Sequence, residues 1–171
     1  MNNILNNLMN KMNEIHYGFL VDGINIYPDT DDDWNNDFSK LYHLLSPDEL
    51  IKSKYGVCWD QVELERYYLD KQNIKSNTYF IVEYDDKIYP THTFLTVEDN
   101  NKFYWFEHSW YPYRGIHEYD SINELLKDVK LKFSKNKNID DIVIYKYDKP
   151  NYKISSNEFF KHCEKCKRVN I

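Results

Sequence analysis

Between residues 77 and 110 the chain alternates three times between an apolar or aromatic run and a tight-turn cluster, and this pattern limits the fold more than any other feature. Asn77 to Tyr84 places Tyr79 and Ile81 on one side and Phe80, Val82 and Tyr84 on the other, the period of two expected of a strand. Asp85-Asp86-Lys87 reads as the first turn. His92 to Glu98 is a second strand, Asp99-Asn100-Asn101 a hairpin turn, and Phe103 to Trp110 a third strand. Strands this close in sequence, joined this tightly, pair antiparallel. Helical patterns surround them. Ile4, Leu5, Leu8, Met12 and Ile15 predict an N-terminal helix over 3–16. Ser46-Pro47-Asp48-Glu49 is a capping sequence. Ile122 to Phe133, and a stretch from Ser155 or Ser156 through Cys163 (156–167), complete the set, with Ile139 to Tyr147 returning as a strand. Tyr111 to Gly115 reads as a loop. The expectation is an α+β protein with helices on one side of an antiparallel sheet, one domain over 1–171 with its core about 48–147.

The stretch Lys54-Tyr55-Gly56-Val57-Cys58-Trp59-Asp60-Gln61 sets a cysteine just after a glycine, at the start of a helix expected to run to about Gln72. The first turn of a helix has unpaired N–H groups and the positive end of its dipole, which favour a thiolate. Two further residues make this cysteine chemically interesting. His92 opens the second strand and Glu107 lies near the end of the third. With a turn centred near Asn100, His92 faces a residue near 108, so a carboxylate at 107 comes beside the imidazole after a small shift in register. A thiol, an imidazole and a carboxylate in that order are the parts of a nucleophile, its base and the group that orients the base. Trp34, Tyr55 and Tyr89 are candidate donors to an oxyanion, and Trp59, Tyr89 and Trp110 candidate substrate contacts.

Composition excludes several classes. The formal net charge of -6, from 22 basic and 28 acidic residues, disfavours nucleic acid as a partner. No apolar run reaches membrane length and Met1 to Asn13 lacks the pattern of a signal peptide, so no membrane association is expected. Three cysteines without an export signal fit a reducing compartment, and the cytoplasm is the expected location. The acidic run from Asp29 to Asp33 reads as a solvated loop, because a calcium loop needs a longer alternation of ligands and a closing glutamate.

The segments Gly56-Val57-Cys58-Trp59-Asp60, Thr91-His92-Thr93-Phe94-Leu95 and Tyr104-Trp105-Phe106-Glu107-His108 together resemble the transglutaminase-like superfamily, over roughly residues 48 to 115. The resemblance implies a papain-like Cys-His-Asp triad and a repertoire of peptidase, amidase, deamidase and acyl-transfer activities, here carried by Cys58, His92 and Glu107. Glutamate stands where aspartate is usual in that superfamily. The implied substrate is a peptide, a protein or a small amide or thioester, with no cofactor and no metal.

Other readings of the same residues stand beside this one. Cys58 as a small buried hydrophobe, His92 as a polar residue on a strand edge and Glu107 as a salt-bridge partner are the unremarkable accounts. His108, on the face opposite Glu107, reads as structural, and Asp60 and Gln61 as ordinary first-turn residues. A module that keeps the fold but only binds, using Trp34, Trp59, Trp105 and Trp110 as an aromatic cleft, is the main alternative. His162, Cys163 and Cys166 supply part of a zinc site and no second cluster, the basis of a weaker third.

Overall fold

A computed structural model describes residues 1–28, 33–84, 89–134 and 139–171. Helix α1 (Asn2–Met12) buries Leu5, Leu8 and Met12 at helical spacing and stops before Ile15, short of the predicted end at 16. A two-residue turn at Asp22-Gly23, both with positive φ, folds β1 (Phe19–Val21) onto β2 (Ile24–Ile26), the left-handed pair that a tight hairpin requires. Helix α2 (Trp34–Leu41) follows. Helix α3 (Pro47–Ser53) begins where its capping sequence predicts. Ser46 Oγ accepts from the Glu49 N–H, and Glu49 Oε2 accepts from the Ser46 N–H at 2.9 Å. Helix α4 (Cys58–Asp70) is the cysteine helix. The run Asp29–Asp32 and the turn Asp85-Asp86-Lys87 lie outside the described residues.

The main sheet comprises β3 (Ser76–Glu83), β4 (Thr91–Asp99), β5 (Lys102–Glu107), β6 (Gly115–Tyr119), β7 (Ile142–Tyr147) and β8 (Lys167–Val169), in the order β6-β5-β4-β3-β7-β8 and antiparallel throughout. Asn100 and Asn101, both with positive φ, turn β4 into β5. Two strands exceed the sequence reading. β6 occupies part of the stretch after Tyr113, and β8 follows α6 (Ser156–Glu164), which ends before the predicted 167. Both are edge strands of three to five residues with exposed positions, too short and too polar for a period of two to reveal them.

Helices cover both faces of the sheet, not one. On the first face α4, with α1, α3 and α6 around it, packs against Phe80, Val82, Leu95 and Phe106. On the second, α5 (Ile122–Ser134) lays Leu125, Leu126 and Val129 against Tyr79, Ile81, Phe94 and Trp105. The central strand explains the difference. Tyr79, Phe80, Ile81 and Val82 are all buried, so β3 is a continuous apolar run, the signature of a strand covered twice. Polar residues alternating with apolar ones would have left one face wet.

Candidate active site

The site starts at the N-terminus of α4. Val57 is the N-cap, and a valine side chain accepts no hydrogen bond, so the N–H groups of the first turn keep the free donors that a Ser or Asp cap would have taken. Gly56 precedes it for reasons of space rather than turning. Its φ is not positive, and a Cβ there would lie 2.6 Å from Leu50 Cδ1 and 2.9 Å from Asp60 Cβ.

Asp60, one turn into the helix, is fully committed. Its Oδ2 accepts from the Val57 N–H at 2.9 Å, and its Oδ1 accepts from the Tyr42 hydroxyl and the Leu45 N–H, both at 2.8 Å. Burial pushes its carboxyl up to about 7, against those three donors, which pull it down. Gln61 grips the backbone from the other side. Its Nε2–H donates to the Gly56 carbonyl at 2.8 Å, which leaves Oε1 to accept from His108 Nδ1–H at 2.7 Å. The surroundings of His108, rather than this bond, keep its imidazole neutral. Burial first, then the Arg114 guanidinium, lowers it to about 4. Asp60 and Gln61, ordinary helix residues in the sequence, are the clamps that fix Gly56 and Val57 beside Cys58.

His92 and Glu107 meet across the open end of the β4–β5 ladder. The ladder pairs Leu95 with Phe106 and runs to Asp99 and Lys102, one residue displaced from a turn centred on Asn100. That displacement matters, since a slip of one residue exchanges faces. Continued past its last pair, that register would set Ser109, not His108, opposite His92 and Glu107 diagonally on the same face. Diagonal positions are about 7–8 Å apart, within reach of a glutamate. His92 Nε2–H donates to Glu107 Oε2 at 2.7 Å. The other oxygen, Oε1, accepts from the Trp110 N–H at 2.7 Å and the Ser109 hydroxyl at 3.1 Å. Burial disfavours charge on both rings and carboxylate. Even so, Glu107 and the neighbouring Cys58 sulfur raise the imidazole to about 10, and His92 holds the carboxyl below its usual range. With Nε2 committed to Glu107, Nδ1 is the nitrogen left for the thiol.

Cys58 is 4 % exposed and lines a cavity of about 490 Å³. Tyr17, absent from the sequence reading, lines it beside Cys58. A backbone clamp delivers it. The His16 N–H donates to the Lys54 carbonyl at 2.8 Å and the Gly56 N–H to the His16 carbonyl at 3.0 Å, tying residue 16 to the residues before Cys58. Burial, then the Cys58 sulfur, holds the Tyr17 phenol well above its ordinary value, so it remains a neutral donor. No local motif marks Tyr17 among sixteen tyrosines.

The aromatic candidates separate. Trp34, Trp59 and Tyr89 line the cavity, although Trp59 is only 3 % exposed and stacks on Phe159 at 4.4 Å. Trp110 lies instead against the His92 ring at 5.1 Å. Tyr55 packs on His16 at 5.3 Å, away from the cavity. Trp105 is fully buried in the second core, so the four tryptophans do not form one cleft. At the C-terminus, Cys163 is buried in the core, the Cys166 thiol donates to the His162 carbonyl at 3.3 Å, and the His162 ring bonds the Asp148 carbonyl at 2.8 Å. Among the described residues no three His, Cys, Asp or Glu side chains converge as metal ligands, and no helix is long and apolar enough to cross a membrane.

No curated protein matches the chain in sequence. A family model described as a transglutaminase-like domain matches residues 6–145, a span that runs from α1 through Cys58, His92 and Glu107 into β7. The chain belongs to the transglutaminase-like domain family.

Proposed function

We propose that the protein is a cysteine hydrolase acting on an amide or thioester carbonyl, with Cys58 as nucleophile, His92 as base and Glu107 as the residue that orients the base. The observation that carries this reading is the 2.7 Å bond from His92 Nε2 to Glu107 Oε2, with the Cys58 sulfur near enough to help raise the same ring and set in a cavity wall. His92 Nδ1 takes the thiol proton, and Sγ attacks the carbonyl carbon. The developing oxyanion accepts from the uncapped N–H groups of the first α4 turn and from the Tyr17 hydroxyl. The imidazolium then gives its proton to the leaving amine or thiol as the carbon–heteroatom bond breaks. Water, deprotonated by His92, attacks the acyl-enzyme and releases the carboxylic acid and the free thiol.

Hydrolysis is preferred to transfer because the cavity wall is wet. Tyr89, on that wall, is 53 % exposed, whereas transfer to an amine requires that water be kept out. Three free cysteines are suited to a reducing compartment such as the cytoplasm. Low concentrations of iodoacetamide are expected to alkylate Cys58 well before Cys163, whose thiol burial pushes up, and before Cys166, with the rate persisting below pH 7. Labelling of Cys58 no faster than of Cys166 would refute an activated thiol. Ligand binding unchanged in Cys58→Ala, with no turnover of any acyl compound by the unmodified protein, would favour the binding module instead.

A further inference from the structure

One stripe of α4 faces the sheet. Cys58, Gln61, Val62, Glu65 and Leu69 fall within about 100° around the helix axis, and α4 packs on β4. On β4, Thr93 pairs with Phe80 and so lies on the face that α4 covers, two residues before Leu95. Continued past Leu95 and Phe106, the β4–β5 register would bring His108 directly opposite Thr93 on that face. Gln61 bonds His108 at 2.7 Å, and Glu65 lies one turn beyond Gln61 on the same stripe. Thr93, His108 and Glu65 thus share a layer between α4 and the sheet, where they are 0, 1 and 2 % exposed.

Each brings to that layer a buried polar atom with no hydrogen-bond partner among the described residues: Glu65 Oε2, Thr93 Oγ1 and His108 Nε2. The neighbouring bonds fix what each atom needs. The Gly56 carbonyl can only accept, so the Gln61 amide nitrogen faces it, and Gln61 Oε1 is left to accept from His108 Nδ1–H. Burial first, then Arg114, keeps the His108 ring neutral. Its Nε2 is therefore a lone pair in need of a donor. Burial, then the charge of Glu107, raises the Glu65 carboxyl well above its ordinary range, so Glu65 has an O–H to give. None of the three atoms bonds another, and polar groups that face one another across such a gap are joined by water.

We infer that Glu65, Thr93 and His108 enclose a bound water molecule, and that Glu65 is a positioning residue acting through it on the peptide before Cys58. The water accepts from the Glu65 carboxyl and gives one hydrogen to His108 Nε2 and the other to Thr93 Oγ1, the three bonds usual for a buried water. The hydrogen bonds then run in one direction, from Glu65 through water, His108 and Gln61 to the Gly56 carbonyl. The same peptide group is held on its other side, where the Val57 N–H donates to Asp60 Oδ2 at 2.9 Å. A peptide gripped from both sides sets the first turn of α4, whatever reaction Cys58 carries out.

The test uses the full chain. A high-resolution crystal structure should show an ordered water within hydrogen-bond distance of His108 Nε2 and of Glu65 or Thr93. A direct bond from Glu65 to His108, or no ordered density beside Nε2, overturns the site. Nitrogen-15 NMR of the imidazoles at pH 7 should show His108 protonated on Nδ1 alone, and a proton on Nε2 overturns the direction of the chain. Amide hydrogen exchange tests the positioning, with Ile81 in the central strand as the reference for global opening. Glu65→Leu should speed exchange at Val57 about tenfold relative to Ile81, the scale of one lost hydrogen bond. Glu65→Gln keeps an N–H to donate to the water and should leave that ratio within about twofold of the native value. Val57 and Ile81 changing alike in Glu65→Leu, or Glu65→Gln behaving as Glu65→Leu does, overturns the positioning role. Should Glu65→Leu fail to fold, the crystal structure, the His108 spectrum and Glu65→Gln decide the proposal.

Discussion

Replacing Glu107 by glutamine changes one atom and should disable the site through the tautomer of His92. In the native protein Oε1 holds two donors, the Trp110 N–H and the Ser109 hydroxyl, and Oε2 holds one, His92 Nε2–H. A glutamine has only one oxygen. It is retained by the pair of donors, which turns the NH₂ toward His92. Nε2 must then accept, the ring proton moves to Nδ1, and the nitrogen facing Cys58 can no longer take the thiol proton. The charge is lost as well. Burial alone lowers the imidazole, and it is the carboxylate and the sulfur that raise it from 6.5 to about 10. Without the carboxylate the sulfur's share remains and the imidazole falls part of the way back; the whole rise corresponds to about 5 kcal/mol at about 1.4 kcal/mol per pKa unit, an upper bound on the charge lost. That bound equals three to four orders of magnitude in rate, in line with the roughly 10⁴-fold cost of the acid-to-amide change in a Ser-His-Asp triad. The assay is acylation of Cys58 by 4-nitrophenyl phenylacetate from pH 5 to 10, with melting curves to show that the variant folds. Activity of Glu107→Gln within tenfold of the native protein, with the same pH dependence, would refute the reasoning. Glu107→Asp should also lose activity, because the diagonal register requires the longer side chain.

Tyr17→Phe removes the hydroxyl beside the sulfur and should lower kcat about 10- to 100-fold with little change in KM and less than about 1 kcal/mol in stability; an equal effect on KM would make it a substrate contact instead. Asp60→Ala leaves the Tyr42 hydroxyl and the Leu45 and Val57 N–H groups without their acceptor, and should cost about 3 kcal/mol, a fall in Tm of about 6–12 °C, measured by thermal unfolding. An unchanged Tm would show that the helix start is held by something else. Stability should also depend on pH with a definite sign. His92, raised to about 10, contributes fully below pH 6.5 and loses its contribution as pH climbs to about 10. Asp60, Glu63 and Glu65, all raised, make stability fall as pH rises above their ordinary values, Asp60 up to about 7. Glu107, lowered, contributes above pH 4.5 and loses its contribution as pH falls through its folded value. Urea unfolding should show a maximum between about pH 4.5 and 6.5, and a maximum at pH 8 or above would contradict these assignments.

The elements legible in the sequence are those whose signals are local. The caps at Ser46 and Ser155, the apolar and β-branched runs of β3 and β4 and the double asparagine at 100–101 each act over a few residues, and each marks an element of the fold. His92 and Glu107 meet because adjacent strands of a hairpin must lie side by side. What the sequence did not show depends on distance. The β4–β5 register differs by one residue from the turn-centred expectation, enough to change which of Glu107 and His108 shares a face with His92. The place of α5 follows from the double burial of β3, which a count of helices does not reveal. Tyr17 reaches Cys58 only through the bridge between His16 and Tyr55, a contact between segments almost forty positions apart.

The most instructive departure from a helix made only for packing is α4 itself. From Cys58 to Glu65 every residue is buried, and Asp60, Gln61, Glu63 and Glu65 are polar. Leucine or alanine at those positions would avoid a desolvation cost of at least about 1 kcal/mol for each polar group. The placement of these four is not random. Asp60 and Gln61 hold Val57 and Gly56, Gln61 also holds His108, and Glu63 accepts from Arg66 and Tyr147 at 3.1 and 3.2 Å. Glu65 is raised far above its ordinary value by burial and then by the charge of Glu107, and its Oε2 is buried with no hydrogen-bond partner among the described residues. Local rules broken at such a cost are expected where a side chain must be held in position, and under the proposed function Cys58 must be held to about half an ångström. Here the breaks fall within two turns of Cys58, which argues that α4 is shaped by the need to fix residue 58 more than by the need to fill a core.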